Sequence, residues 1–376
     1  MSVTSTSRPP VDHGPRVTSA DPADFGYPTG FEEEWRFTPV ADFHAVLDGR
    51  AGTTMSADSG PYVQTVQRDA VRRTWLSTDL PGAIASENAL QTVLVDIPAD
   101  TVIDEPIRVR LRGSEALSYG YVHIRLGSHA SATVLVEQDL DRDTSVVMIT
   151  ELGPGAQAQV LSIADGSHAS VHHLHWHAQV DRDATFTGLV VTLGGHRVRI
   201  LPTASFAARG GSATLLGAFL GSAGQFCEHR LFVEHDQPHC SSNVVYKGAL
   251  EGKGTRSVWI GDVLVRRGAV GTDTYELNRN LLLDDGPRAD SVPNLELETG
   301  DIAGAGHASA TGRFDDEQMF YLQARGIDEQ TARQLVVRGF FADVLSRVSL
   351  PVEEAAGLIS RIDRRLGLVA TGGGDD

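Results

Sequence analysis

The densest group of side chains able to do chemistry lies in the segment SHASVHHLHWHAQV. In an extended strand alternate side chains share a face, so His173, His175 and His177 point one way and His172, Leu174 and Trp176 the other. Three imidazoles at alternate positions could bind a transition metal. They stand in a row along one strand, however, whereas a tetrahedral site usually draws its ligands from more than one element. The competing expectation is a ladder of polar residues on a solvated sheet face. A second group, EHDQPHCSSN, holds His235, His239 and Cys240. His239 and Cys240 are adjacent and point in opposite directions in a strand, so a turn with structural hydrogen bonds is expected. The third candidate is His307, the only histidine after His239, set among Gly304, Ala305, Gly306, Ala308, Ser309 and Ala310. Small neighbours allow another backbone or a bulky group to come close, although a lone histidine is more often structural.

Several chemistries are excluded. The segment GALEGKGT resembles a phosphate-binding loop only superficially: Gly248 and Gly252 have three residues between them instead of four, and Gly254 follows Lys253 where Ser or Thr is required. There is no G-x-S-x-G, H-E-x-x-H or paired C-x-x-C motif. Cys227 and Cys240 are the only cysteines, too few for a disulfide framework or for the four ligands an iron–sulfur cluster takes. A net charge of −17 repels phosphates and argues against nucleic acid as a general partner. No apolar run approaches the ~20 residues of a membrane span, and the N-terminus lacks the apolar stretch of a secretory signal. A soluble cytoplasmic protein is expected.

The elements that position these residues follow from composition and period. The 376 residues are 41% hydrophobic but only 6% aromatic, with 39 glycines, a mix that suits short strands and tight turns. Residues 1–24, rich in Ser, Thr, Pro and Asp, read as a disordered tail. Residues 25–91 read as a short N-terminal helical region, in which Phe43, Val46 and Leu47 share a helix face and Gly49 stops it. From 92 to 312, β-rich runs such as TVLVDI, YVHIRL and TFTGLVVTL follow one another between Gly, Asp, Pro and Ser clusters. A weak repeat begins at Ala130, Ala156, Ala184, Ser212 and Cys240, in steps of 26, 28, 28 and 28 residues. Such a period predicts stacked strand-and-turn units, a β-solenoid, with a β-sandwich as the alternative. Residues 313–368 read as a C-terminal helical module: an Asp315/Gln318 capping box, a helix ending at Gly326, a second with Ala332, Leu335, Val336, Phe340, Val344 and Val348 on its apolar face, and a third opened by Pro351 and striped by Leu358, Ile359, Ile362 and Leu366. The tail 369–376 reads as disordered.

Longer motifs resemble a known family. The stretch from His239 to Ile327 carries a His-Cys-Ser-Ser-Asn turn, Asn278-x-Asn-Leu-Leu, Pro293-x-Leu-Glu, and His307-x5-Arg-x-Asp-Asp-Glu-Gln-x-Phe-Tyr-Leu-x-x-Arg-Gly-Ile. With EEEWRFTP near the N-terminus, these resemble the SufB/SufD family, on its SufD side. The resemblance implies a right-handed parallel β-helix flanked by helical regions. It implies pairing with a SufB-like paralogue through β-helix edges and docking of a SufC-like ABC ATPase on the C-terminal helices. Sulfur would come indirectly from a cysteine desulfurase system, and a reduced flavin is associated with the complex in some members. In that setting His307 helps a partner cysteine hold a nascent Fe–S cluster at the shared interface. Some relatives carry a cysteine two residues before this histidine; Ala305 stands there in this chain, so no thiolate is supplied at that point. Phe320, Tyr321, Arg325, Phe340 and Phe341 are the candidates for contacting the ATPase or shaping its surface, with Phe320 and Phe340 equally suited to inter-helix core. The isolated chain is free to homodimerise. Two rivals are weaker. A SufB-type paralogue would show an acceptor cysteine and Glu-Ala-Thr in place of the His-x5-Arg stretch, and a β-solenoid enzyme acting on polysaccharide would show clustered acids along one sheet.

Overall fold

The computed structural model describes residues 17–365, apart from 73, 114, 115, 140, 223, 314 and 315. The fold is mainly β, a parallel β-solenoid of about 7 turns with short helices at both termini. Its strands are β1 (Thr53–Thr54), β2 (Val63–Gln67), β3 (Gln91–Ile97), β4 (Ile107–Leu111), β5 (Leu117–Leu126), β6 (Ser131–Asp139), β7 (Asp143–Leu152), β8 (Gln157–Asp165) and β9 (Val171–Val180). They continue as β10 (Thr185–Thr192), β11 (Arg197–Phe206), β12 (Ser212–Gly221), β13 (Phe226–His235), β14 (Ser241–Leu250), β15 (Arg256–Val265), β16 (Asp273–Leu282), β17 (Arg288–Leu297) and β18 (Gly304–Arg313). Odd strands from β3 to β17 form one parallel sheet, which β1 also joins and whose far edge is closed by antiparallel β2; even strands from β4 to β18 form the other. Each turn of the solenoid therefore contributes one strand to each sheet.

The turns repeat as well as the strands. The carbonyls of Ala130, Ala156, Ala184, Gly211 and Cys240 each accept from the backbone N–H that starts the strand one turn on, at 2.8–3.1 Å. The residue before each of these is left-handed: His129, Gly155, Asp183, Gly210 and His239 have φ between 57° and 79°, a conformation open to Gly and to short polar or His side chains. The repeat expected from sequence is thus present, with one correction. Ser212 is not the counterpart of Ala184; Gly211 is, and the steps are 26, 28, 27 and 29. A Cβ at Gly211 would meet Phe206 Cδ1 at 2.8 Å, so the alanine of the other turns does not fit there.

Three apolar cores result. One fills the lumen between the sheets, with Val134, Val160, Leu174, Val190, Leu215 and Val244 among its members. A second lies on the outer face of the even sheet, under helices α4 (Glu329–Leu345) and α5 (Val352–Arg365). A third lies outside the odd sheet, under the N-terminal segment with helices α1 (His44–Leu47) and α2 (Leu80–Asn88). Because both faces of the central strands are covered, they are buried along most of their length instead of at alternate residues. Phe43, Val46 and Leu47 are buried and Gly49 has φ 62°, as expected. Ordered structure starts earlier than residue 25: Ser19 pairs with Ser77, and Asp21 caps a short 3-10 turn, Pro22–Asp24.

At the other terminus α3 (Asp316–Gln323) is followed by the left-handed Gly326. The expected Asp315 cap, Leu366 and the tail lie outside the described residues. Of the apolar face expected on α4 and beyond, Ala332, Val344 and Val348 are buried, but Leu335 is exposed and Val336 and Phe340 are half-buried; Val337 and Phe341 complete the buried face in their place. Leu358 and Ile362 of α5 are buried while Ile359 faces out. Polar contacts fix these helices to the even sheet. Lys247 of β14 donates to the Phe340 carbonyl at 2.9 Å and pairs with Asp343 at 3.0 Å, and Arg365 donates to Asp165 at 2.6 Å. Lys247→Ala is expected to cost about 1.5 kcal/mol, since a largely buried charge-assisted bond is lost while half-exposed Asp343 adds little. Amide hydrogen exchange in residues 329–345 should then be about tenfold faster, with the solenoid strands unchanged.

Candidate functional site

Among the described residues, β18 is the last strand of the even sheet and no strand pairs with its outer edge. β17 ends the odd sheet in the same way. The solenoid is therefore open at this rim, the edge arrangement that invites another chain to pair. His307 sits in the middle of β18, exposed, and its register partner on β16 is Glu276. Side chains in register on adjacent parallel strands point to the same side. Gly304, Gly306 and Ala308 leave the strand around it without bulk.

The floor beneath this rim differs from the rest of the lumen. On β16 the inward residues are Thr274, Glu276, Asn278 and Asn280, all buried. Asn278 Oδ1 accepts from Asn280 Nδ2 at 2.8 Å and from Ser291 Oγ of β17 at 2.7 Å. Asn280 Nδ2 also reaches Thr311 of β18 at 3.3 Å. Glu276 is 1% exposed, and among the described residues neither carboxylate oxygen has a hydrogen-bond partner. Burial, reinforced by the nearby charge of Asp262, pushes its carboxyl up to about 8. It points across the lumen at the odd sheet, since a Cβ at Gly261 would lie 2.7 Å from its Oε1. Sequence reasoning singled out His307 but missed Glu276. The signal was the alternation Thr-Tyr-Glu-Leu-Asn-Arg-Asn, legible only once the inward register of β16 is known.

The histidine row lies elsewhere. His173, His175 and His177 do share a face of β9, but it is not solvated: they are 0%, 0% and 6% exposed beneath the N-terminal segment. Asp79, the N-cap of α2, reaches them. Its carboxylate lies 3.1 Å from His173 Nε2 and 3.1 Å from His175 Nδ1 and also accepts from the Gly82 N–H at 3.1 Å. The other nitrogens are engaged by Ser145, Thr78, Thr203 and Ser205. Gly82 is required, because a Cβ there would lie 2.1 Å from Ser77 Oγ and 2.8 Å from Asp79 Oδ1. Burial raises the Asp79 carboxyl, but the two histidines outweigh it and hold the group well below its usual value. Trp75 stacks on His177 with ring centroids 4.9 Å apart. The row thus fastens the N-terminal segment to the solenoid. The EEEWRFTP motif does the same one strand over: Arg199 of β11 donates to Glu228 at 2.5 Å, to Thr38 at 2.9 Å and to the Glu34 carbonyl at 3.0 Å, with its guanidinium 4.0 Å above the Trp35 ring.

The remaining candidates separate. His235 is buried and pairs with Ser242 at 2.8 Å, His239 occupies a left-handed corner, and Cys240 is buried in the lumen. On the C-terminal helices Phe320 and Tyr321 are 73% and 56% exposed, and Arg325 lies 4.5 Å over the Tyr321 ring. Phe341 is buried against the even sheet, so it can shape that surface but cannot touch a partner. Phe340 is half-buried under Lys247.

Residues 109–340 match the family model for the SUF system FeS cluster assembly SufBD core domain. The chain belongs to the SufBD family. Its matched region runs from β4 into α4 and so takes in the open rim. An iron–sulfur cluster assembly SufBD family protein of Mycobacterium bovis is 42% identical over 354 residues, covering 90% of this chain and 89% of that one. A SufBD family protein of Mycobacterium leprae is 40% identical, with 97% of each chain covered. The SufD protein of Escherichia coli is 27% identical over 281 residues, 73% of this chain and 65% of its own length. As a SufBD family member the chain is a component of iron–sulfur cluster assembly, and membership implies a Suf-system complex. Among the described residues no helix is long and apolar enough to cross a membrane.

Proposed function

We propose that this chain is the SufD-type subunit of a cytoplasmic SufBCD-like complex, a non-catalytic scaffold on which a nascent Fe–S cluster is built. Its open rim, formed by β17 and β18, pairs with a SufB-like paralogue. Its C-terminal helices, through Phe320, Tyr321 and Arg325, dock a SufC-like ABC ATPase, which supplies the ATP hydrolysis. Sulfur reaches the complex from a cysteine desulfurase system. His307 holds the cluster, as cargo, together with a thiolate from the paralogue.

One observation carries this reading: an exposed imidazole in the middle of an unpaired terminal strand, with small residues on either side. A ligand at a rim is completed only by a second chain, which accounts for a cluster-building protein whose two thiols are both buried in its own lumen. Burial pushes the Cys227 thiol up to about 12, so it stays protonated and a poor ligand. In the assembled complex His307→Ala is expected to lower cluster yield by at least about tenfold, the scale of losing a metal-site partner. Reconstitution followed by absorbance near the sulfide-to-iron bands measures it. Wild-type yield in an intact complex would end the assignment.

A further inference from the structure

The scaffold role proposed for the chain gives buried Glu276 no task. A carboxylate 1% exposed with two unpartnered oxygens is costly in a folded chain, because burial of an acceptor is normally offset by a donor. Asn280 Oδ1, four residues further along the same strand and so about 13 Å away, is a separate buried acceptor without a partner. Once ionised, both Glu276 oxygens are acceptors only. The unpartnered indole N–H of Trp259 forms no hydrogen bond with them, although its ring and Glu276 Oε1 both lie within 3 Å of the Cβ position of Gly261. A set of lone pairs without donors is the complement of a cation. The nearest acid, Asp262, is already engaged by Asn294 at 2.6 Å and by Arg230 at 3.6 Å.

The register supplies a second donor. His307 lies directly beside Glu276 on the next strand, on the same side of the sheet, and no further strand covers it. Strands are roughly 4.8 Å apart, and metal–nitrogen and metal–oxygen bonds are about 2.0–2.2 Å. One ion can therefore bridge the two side chains with modest rotamer change. A carboxylate with an imidazole is a borderline donor set. It suits iron(II), cobalt(II) or zinc(II) better than calcium or magnesium, which prefer oxygen alone.

We propose that Glu276 and His307 are two ligands of one divalent-metal half-site at the open end of the solenoid, which takes ferrous iron and leaves its other positions to a partner chain. This deepens the role of His307 given above and rests on it. Glu276 then delivers the iron side of the cluster site, while the thiolate comes from across the interface.

The test uses the full-length chain under anaerobic conditions, titrated with cobalt(II) chloride and followed by d–d absorbance and calorimetry. Wild type should bind one cobalt(II) per chain, and Glu276→Gln and His307→Ala should each weaken that site by at least tenfold. Glu276→Gln keeps the side chain's shape, and a thermal midpoint equal to or above wild type would show that the fold is intact. Wild-type cobalt affinity in Glu276→Gln, or no cobalt bound by the wild-type chain, would overturn the proposal. The two readings fail separately. Normal cluster yield in the His307→Ala complex removes the assignment of His307. A cluster-defective His307→Ala complex beside an unaffected Glu276→Gln site removes only the carboxylate.

Discussion

Arg199→Ala should destabilise the folded chain by about 3–5 kcal/mol, the cost of leaving one member of a buried ion pair without its partner. Arg199 is 0% exposed and Glu228 1% exposed, so water cannot replace the lost guanidinium. The loss is also shared across the interface. Thr38 and the Glu34 carbonyl lose a donor, and Trp35 loses the cation on its ring face. Three of these partners belong to the N-terminal segment, which should loosen before the solenoid unfolds. Limited proteolysis should cut within residues 25–50 of the variant under conditions that leave wild type intact, and urea unfolding read by tryptophan fluorescence should give the energy. Removing both charges with Arg199→Met and Glu228→Leu should restore most of the stability, since a well-packed apolar pair substitutes for a buried ionic one. A single-variant loss below about 1 kcal/mol would mean that the N-terminal segment is held by its apolar contacts alone.

How much of this was legible in the sequence depended on what each residue faced. The solenoid was, because its turn corners recur with a small residue at Ala130, Ala156, Ala184 and Cys240. The one misplaced corner, Ser212 for Gly211, arose where Phe206 fills the space of the expected methyl group. Helix α2 was hidden because it has no polar face to create a period: Leu80 to Ser86 are buried all round between the N-terminal segment and the sheet. The same covering segment misled the reading of β9. An imidazole row is polar by type, and only the docking of Asp79, 94 residues before His173, makes its burial affordable. On α4 the apolar residues outnumber the positions that touch the sheet, so composition left the face undetermined between Leu335/Val336 and Val337/Phe341. His307 was found through a motif, and its neighbour Glu276 was missed because pairing across a turn of about 31 residues is invisible until the strands are stacked.

The second large effect is on acid stability. His172, His177 and His229 are buried and held neutral, with burial pushing each down to about 3, and burial pushes His235 down to about 4. Unfolded, each returns to about 6.5. Below that pH the unfolded chain binds protons that the folded chain refuses, so the stability these groups hold at neutral pH is lost as pH falls from 6.5 toward 4. Each contributes up to about 1.4 kcal/mol per pH unit. Glu276 acts in the opposite sense: its folded value near 8 lies above the unfolded one, so its contribution is full below about 4.5 and lost as pH rises toward 8. The net slope is then about three protons, roughly 4 kcal/mol per pH unit in the lower part of the window. Against a total stability of about 5–15 kcal/mol, that predicts cooperative unfolding at 25 °C between about pH 4 and 5.5, well above the range where carboxylate protonation alone would act. Urea midpoints measured from pH 8 to 5 should fall steeply below 6.5, and His229→Gln should reduce the slope by about one proton. A flat profile down to pH 5 would mean that these imidazoles take up protons in place, which the apolar lumen around His172 and His229 should forbid.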